Sequence, residues 1–247
     1  MFFYKSVSST NDVAKQWAQE EAHAEGAVFI AESQTNGRGR MSRAWFDSQG
    51  SLLFSLLLRP NCPPPEAPGL TLVLAVAVCR ALQPFSPAPL GIKWPNDIIA
   101  NGRKLCGILL EADYVASTLR SVVAGIGVNV NTAFFPPDLR DRATSLLLLS
   151  GKAQNKATVL KSLLGNIETC YNDSYRTHGL APFVSGYESL CLTLGQDVTL
   201  TRGGVETCAK AVSLSPDGGL VVAYADGSTG IVHSGEVSLR GKTGYCE

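Results

Sequence analysis

The Asn101-Gly102 dipeptide lies between short apolar segments at residues 98–100 and 105–111. Asn-Gly is the preferred pair for a two-residue hairpin turn, because both positions of that turn need a positive φ. The chain is therefore expected to return directly into a neighbouring antiparallel strand. A doubly wound parallel sheet needs a helical crossover between strands, so the hairpin favours an α+β fold in which helices flank a mixed sheet.

The remaining periodicity predicts both helices and strands. A helix is expected to begin at Ser9, which has capping-box spacing to Asp12 and is followed by an apolar stripe. Further helices are predicted at residues 69–83, 156–178 and 181–194. Besides the hairpin, strands are predicted at residues 27–32, 51–59, 90–94 and 120–130.

The residue pattern of the chain changes at Asp197. Short strand-like segments then recur around glycine-rich turns at residues 203–204, 217–219 and 226–227. This spacing is typical of a meander that closes into a small barrel. We expect one domain at residues 1–195 and a small C-terminal domain at residues 196–247.

Charge and cysteine content limit the class of protein. The chain has 21 basic and 21 acidic side chains, which argues against a nucleic-acid binder because affinity for phosphate backbones needs clustered positive charge. Seven scattered cysteines without C-x-x-C spacing indicate a reducing compartment rather than disulfides or zinc. With no signal peptide at the N-terminus, we expect a cytoplasmic protein. Residues 70–82 form the most apolar helical segment, which Arg80 interrupts and which is too short to span a bilayer.

The segment from residue 33 to residue 47 is the most informative for function. It carries three arginines, Arg38, Arg40 and Arg43, beside two glycines, Gly37 and Gly39. The only acidic residue of the segment is its last one, Asp47. Glycines let backbone N–H groups approach an anion, and guanidinium groups bind phosphate or carboxylate through paired hydrogen bonds. A solvated basic surface and a weak nucleic-acid contact are the alternatives. A dinucleotide fingerprint is incomplete, since Ser42 stands where its third glycine would be.

Six motifs occur in an order that spans almost the whole chain: Ser9-Thr10-Asn11, Gln34 with Gly37-Arg38-Gly39-Arg40, Trp45, Lys93-Trp94-Pro95-Asn96-Asp97, Arg103-Lys104-Leu105-Cys106-Gly107-Ile108-Leu109 and Gly125-Ile126-Gly127-Val128-Asn129. In this order the chain resembles the biotin protein ligases, the biotin–[acetyl-CoA-carboxylase] ligases. Residues 235–240 are similar to the end of that family's barrel. The resemblance implies a class II synthetase-like catalytic domain with a C-terminal SH3-like β-barrel.

The implied activity is ATP-dependent attachment of biotin to a lysine of a biotin carboxyl carrier domain, through biotinyl-5′-AMP and with Mg²⁺. Neither step needs an enzyme nucleophile, which is consistent with the isolated histidines. Cationic stabilisation and positioning are needed instead.

The resemblance also assigns site residues. It makes Lys104, Arg38 and Asp97 catalytic, with Asp97 either binding Mg²⁺ or orienting the acceptor lysine. The implied biotin-binding residues are Ser9, Thr10, Asn11, Gln34, Gly37, Arg38, Gly39, Lys104 and Gly107. The implied ATP and adenylate ligands are Arg38, Arg40, Arg43, Trp45, Lys93, Asn96, Asn129 and Arg240. From position alone, Lys104 and Arg240 could equally be surface side chains, and Trp94 is assigned to packing.

Ser42 departs from the family, whose members commonly carry glycine there. If that position has a positive φ, serine strains the loop. The glycines also predict a loop that orders only on its ligand.

Other functions remain as alternatives. The same fold supports lipoate or octanoate transfer, and a non-catalytic regulator that binds biotinyl-adenylate is an alternative of another class.

The first motif begins at residue 9, so we expect the short form of the family, without an N-terminal DNA-binding domain. The expected partners are biotin, ATP and the carrier domain, not DNA or a membrane, for a monomer or homodimer. A P-loop at residues 236–243 is excluded, because Glu236 replaces its first glycine.

Overall fold

The larger sheet contains seven strands in the order β1-β2-β3-β7-β6-β5-β4. Their bounds are β1 (Phe2–Val7), β2 (Val28–Gln34), β3 (Ser51–Leu58), β4 (Leu90–Lys93), β5 (Asp97–Ala100), β6 (Arg103–Val115) and β7 (Thr118–Asn129). Strands β1 and β2 are parallel, and the other neighbouring pairs are antiparallel. Asn101 and Gly102 have φ values of 48° and 71°. The predicted hairpin and the mixed sheet of an α+β fold are therefore confirmed.

This computed structural model describes residues 1–20, 23–233 and 238–241, and the side chains of Ser42 and of residues 238–241 lie outside the description. Its helices are α1 (Thr10–Ala18), α2 (Leu70–Leu82), α3 (Leu146–Ser150), α4 (Lys156–Glu168), α5 (Arg176–His178) and α6 (Ala181–Leu190). A π-helical segment, Thr169–Tyr175, joins α4 to α5. The predicted helix at 156–178 is thus continuous, but its middle turns are wider than α-helical.

Helix α2 forms the centre of the core. Every residue from Leu70 to Leu82 is buried except Arg80, because the helix is apolar around nearly its whole circumference and packs against the sheet, α4 and α6. Together with its flanking turns, the helical run 64–85 is long and apolar enough to cross a membrane by length and composition, and 72% of its apolar window is buried inside the protein. Helix α2 itself has only 13 residues, as expected, and the longer run reaches that length only with the 3-10 turns on both sides of it. The helix is covered by the rest of the fold.

The second sheet is antiparallel and has five strands in the order β11-β10-β9-β8-β12. Its strands are β8 (Asp197–Arg202), β9 (Val205–Leu214), β10 (Leu220–Ala223), β11 (Thr229–Val232) and β12 (Ser238–Gly241). Glycines with positive φ lie in the connections that the sequence marked as turns, at Gly203, Gly204, Gly218 and Gly227. The predicted meander is confirmed, and the division at residue 195 stays a prediction.

The two sheets share one core. Val198 and Leu200 of β8 belong to the same buried cluster as the residues of α2. The Trp94 indole N–H donates to the Gly218 carbonyl at 3.2 Å, which ties the small sheet to the turn between β4 and β5. Trp94 is only 3% exposed, consistent with the packing role predicted for it.

Two elements were not predicted, and one helix is shorter than expected. Strand β1 was missed because its partner β2 is distant in the chain and its own alternation is weak. Helix α3 has only five residues. The last predicted helix ends at Leu190 because the next residue, Cys191, pairs with Ile92 at the edge of β4.

Candidate active site

A cavity of about 540 Å³ opens on one face of the larger sheet. Most of the predicted site residues line it: Ser9, Thr10, Asn11, Gln34, Arg38, Gly39, Arg40, Arg43, Trp45, Lys93, Asn96, Asp97, Lys104, Gly107 and Asn129. Gly37 lies beside it, where an added Cβ would be 3.2 Å from Gln34 Nε2. The Arg240 side chain and residues 235–237 lie outside the described residues. Segments far apart in the sequence therefore meet in one place.

Three glycines on β6 and β7 form the floor of the cavity. Gly107 is the cross-strand partner of Gly127, and Gly125 lies two residues earlier on β7. A Cβ at Gly125 would be 2.2 Å from Asn11 Oδ1, and one at Gly127 would be 2.7 Å from Trp45 Cζ2. Any side chain at these positions would displace the residues that lie against the sheet.

The polar end of the cavity is built on the start of α1. Ser9 is the N-cap, with extended backbone, and its hydroxyl accepts from the Asn11 backbone N–H at 3.3 Å. Gln34 Oε1 accepts from both the backbone N–H and the hydroxyl of Thr10, at 2.7 and 3.1 Å. Capping and site formation thus use the same residues.

Ser55 supports this end from β3. Its hydroxyl lies 2.7 Å from Thr10 Oγ1 and 2.5 Å from Asn11 Oδ1, and the residue is fully buried. A buried hydroxyl in an apolar strand needs such partners. Ser55 was missed by the sequence analysis, although its place in the segment Leu-Leu-Phe-Ser-Leu-Leu-Leu was a usable signal.

Residues 34–46, which carry Arg38, Arg40 and Arg43 and are called the arginine loop below, line the cavity from another side of the chain. The Gly39 N–H donates to the Arg43 carbonyl at 2.7 Å, and the Trp45 N–H donates to the Gly37 carbonyl at 3.0 Å. The left-handed residue of the loop is Met41, with φ 54° and ψ 39°, so the strain considered for Ser42 falls one position earlier. The Trp45 indole N–H is buried without a partner among the described residues, which leaves a donor for a ligand.

Acidic side chains from other elements neutralise part of this loop. Arg38 Nη2 donates to Asp12 Oδ1 at 2.7 Å and to Glu111 Oε2 at 2.9 Å. Arg40 Nη1 donates to Asn96 Oδ1 at 3.3 Å. The absence of nearby acids in the sequence was therefore misleading, because folding brings Asp12 and Glu111 to Arg38.

Lys104 lines the cavity and is paired with Asp97. The ammonium nitrogen is 2.6 Å from Asp97 Oδ1, and the side chains are only 25% and 14% exposed. The same nitrogen is 5.5 Å from the centroid of the Trp45 ring. The Lys104 backbone N–H donates to the Arg142 carbonyl at 2.8 Å. A solvated surface lysine is thus excluded, and the position of the ammonium is fixed on several sides.

The carboxylates around Arg38 are held in their charged form. The hydrogen bond from Arg38 holds the pKa of Asp12 below its usual value of 3.8. Burial raises the pKa of Glu111, but hydrogen bonds from Lys15 and Asn11, with the charges of Lys15 and Arg38, outweigh burial and bring it below 4.5. The pKa of Arg38 is raised, first by its hydrogen bond to Asp12.

Among the described residues, no group of three or more histidine, cysteine or acidic side chains could hold a metal ion. Asp97 is the acidic residue of the cavity lining, and its carboxylate already faces the Lys104 ammonium. One cavity carboxylate that already faces a lysine does not build a Mg²⁺ site from protein groups alone; Mg²⁺ is commonly held by one or two carboxylates together with substrate phosphates.

Sequence reasoning also missed much of the apolar lining. Phe135, Leu139 and Ala143 enter the cavity from the segment after β7, and Phe46 enters from the arginine loop. Their sequence context resembles ordinary core or loop residues. No local signal distinguishes them.

Two family profiles match the chain. The biotin/lipoate A/B protein ligase family matches residues 3–129, and the biotin protein ligase C-terminal domain matches residues 193–240. The chain therefore belongs to the biotin/lipoate A/B protein ligase family.

Relatives and solved structures narrow this class. A bifunctional ligase/repressor of Bacillus spizizenii is 37% identical over 242 residues, 97% of this chain and 74% of the relative. A biotin–[acetyl-CoA-carboxylase] ligase of Mycobacterium tuberculosis is 33% identical over 236 residues, 94% and 85% of the two chains. The biotin protein ligase of Aquifex aeolicus, in complex with biotin and ATP, matches with a TM-score of 0.84, 33% identity and 98% coverage of both chains. Within the family, the protein is a biotin protein ligase.

Gly127→Ala should displace Trp45 and weaken binding of ATP and biotin together by about tenfold to a hundredfold, because overpacking costs about 1–3 kcal/mol. Calorimetric titration measures this. Gly165→Ala in α4 is the control, since an added Cβ there meets nothing within 4 Å. Wild-type affinity in Gly127→Ala would contradict the close fit of this ring on the sheet.

Stability should depend on the charge of Asp12. Because its folded pKa lies below 3.8, its contribution is present above about pH 4 and is lost as the pH falls through the folded value. The difference in Tm between wild type and Asp12→Asn should therefore be largest near neutral pH and shrink in acid. Thermal unfolding followed by circular dichroism from pH 7 to pH 3 measures it. A difference that grows in acid would contradict the sign.

Proposed function

We propose that the enzyme activates biotin with ATP to biotinyl-5′-AMP and transfers the biotinyl group to a lysine of a biotin carboxyl carrier domain. The observation that carries this proposal is the position of the Lys104 ammonium. It lies in the same cavity as the polar end at Thr10 and Gln34 and the arginine loop. A molecule with a polar ring at one end and a carboxylate at the other fits this arrangement.

Biotin binding uses the polar end. A ureido ring presents both N–H donors and a carbonyl acceptor, so it needs a few well-placed polar partners in an otherwise apolar slot. Ser9, Thr10, Asn11 and Gln34 are the polar partners in our proposal. Gly37, Gly39 and Gly107 leave room for the ligand to approach the backbone.

Adenylate formation joins two anions. The biotin carboxylate oxygen attacks the α-phosphorus of ATP, the bond to the bridging oxygen breaks, and pyrophosphate leaves. Carboxylate and phosphate repel each other, and charge grows on the phosphate oxygens. In our proposal the Lys104 ammonium contacts both groups, and Arg38 adds further donors on the biotin carboxylate side. Preorganised cations of this kind lower the barrier without rearrangement.

The nucleotide occupies the rest of the cavity in this proposal. Trp45 covers the adenylate and Asn129 contacts the adenine edge. Arg40, Arg43, Lys93 and Asn96 face the phosphates, and the family resemblance adds Arg240, of the C-terminal domain at residues 196–247, as a further phosphate ligand. Magnesium enters as part of the nucleotide substrate rather than through Asp97.

Transfer follows in the same place. The carrier lysine, as a neutral amine, attacks the acyl carbon of biotinyl-5′-AMP, the acyl–phosphate bond breaks, AMP leaves, and the proton lost by the amine passes to solvent. Asp97 lies beside Lys104 and can orient the incoming amine. We propose that the carrier domain docks at an edge of the larger sheet, because a free edge accepts a strand through backbone hydrogen bonds. We place the reaction in the cytoplasm, consistent with the free cysteines.

Lys104→Ala should slow biotin-dependent pyrophosphate release by about a hundredfold or more, because it removes a cation that contacts the reacting groups. Single-turnover release of labelled pyrophosphate is the measurement. Lys161→Ala, which removes an exposed lysine of α4, is the matched control and should keep the wild-type rate. Near-normal release by Lys104→Ala would overturn the proposed role.

A further inference from the structure

Glu111 is a residue of β6 that does not line the cavity. Neither the motifs nor the proposed chemistry gives it a role. Its carboxylate is a shared acceptor. Oε1 accepts from Lys15 Nζ at 2.5 Å, and Oε2 accepts from Asn11 Nδ2 at 2.7 Å and from Arg38 Nη2 at 2.9 Å. One half-buried side chain therefore contacts residues from α1 and from the arginine loop at once.

These contacts fix Arg38 by one end of its guanidinium. The bonds to Asp12 and Glu111 all use Nη2. None of these three hydrogen bonds is donated by Nη1 or Nε. The guanidinium is thus anchored on the protein side and keeps donors for a ligand. An arginine on a glycine-rich loop would otherwise lose considerable conformational entropy on binding.

The charges of this cluster balance. Lys15 and Arg38 supply two cations, and Asp12 and Glu111 supply two carboxylates. Since the net charge is zero, the contribution of Arg38 to ligand binding depends on where its free donors point. Position, rather than added charge, is what the acids provide.

Glu111 also connects Arg38 to the polar end of the cavity. Asn11 donates to Glu111 through Nδ2 and accepts from the Ser55 hydroxyl through Oδ1. Ser55 is also 2.7 Å from Thr10 Oγ1, and Thr10 donates to Gln34. A continuous chain of polar contacts thus joins the two ends of the proposed biotin site.

We propose that Glu111 is a positioning residue, which holds Arg38 at the correct distance from the polar end and so sets the recognition of an acid of biotin's length. The inference rests on the proposed function, because it needs biotin bound between these two ends. Glu111 acts through Arg38 and Asn11 and does not contact the substrate itself.

The test uses Glu111→Gln, which keeps the shape and removes the charge. The KM for biotin should rise by about tenfold or more, because a small displacement of a positioning group is costly, while the KM for ATP stays near the wild-type value. Asp113→Asn is the matched control. It lies on the same strand, also loses an ion pair with an arginine, Arg120, and should leave both KM values unchanged.

A double-mutant cycle separates positioning from a general structural effect. If Glu111 acts through Arg38, then adding Glu111→Gln to Arg38→Ala should change the KM for biotin by less than about twofold, since contacting residues are not additive. Glu111→Asp should restore part of the loss. Full additivity of the two substitutions, or equal increases in the KM values for biotin and ATP, would overturn the proposal.

A second variant tests the same proposal in case Glu111→Gln does not fold. Asp12→Asn removes the other carboxylate that holds Arg38 and should also raise the KM for biotin selectively. An unchanged KM for biotin in both variants would overturn the inference while leaving the proposed function intact. A wild-type enzyme that forms no adenylate from biotin would instead overturn the proposed function.

Discussion

The site depends on the absence of side chains on one patch of the larger sheet. Gly107 and Gly127 face each other across β6 and β7, and Gly125 lies nearby on β7. Their backbones let Trp45, Lys104 and Asn11 lie directly on the sheet, since a Cβ at Gly107 would be 2.9 Å from Lys104 Nζ. Without this patch the arginine loop could not close over the cavity, and the ammonium could not reach its place beside Asp97. The cavity therefore depends first on the glycines of β6 and β7 and only then on the arginine loop.

Besides the other cationic side chains of the cavity, two groups of oppositely charged side chains are paired here. One is the Lys104–Asp97 pair of the cavity lining, and the other is the cluster of Arg38 and Lys15 with Asp12 and Glu111. Each group is neutral in total, which limits the cost of keeping cations in a partly buried place. Both groups present donors whose direction is fixed. Such preorganisation is what a reaction between two anions needs from its enzyme.

The sequence predicted the elements that depend on local interactions, and it did not predict contacts between residues that are far apart in the chain. The Asn101-Gly102 hairpin and helix α2 depend on local turn chemistry and on a continuous apolar run, and both were predicted with nearly correct bounds. The order of the motifs was enough to predict most of the residues that line the cavity. The partners of Arg38 were missed because Glu111 is 73 residues away and becomes a neighbour only through the sheet. Asp47, the acid closest after the loop, instead accepts from the Gln34 backbone N–H at 2.8 Å, so proximity in the chain gave the wrong electrostatic picture.

The most direct test of the account is the identity of the acid that the cavity activates. Purified enzyme would be incubated with ATP labelled on the α-phosphate and with biotin, lipoate or octanoate in parallel, without any carrier protein. The account predicts a labelled adenylate with biotin, at most a trace with the other two acids, and no release of labelled AMP beyond slow hydrolysis. Labelled adenylate from lipoate or octanoate in preference to biotin would contradict the assignment of the polar end and of the positions of Lys104 and Arg38 relative to it.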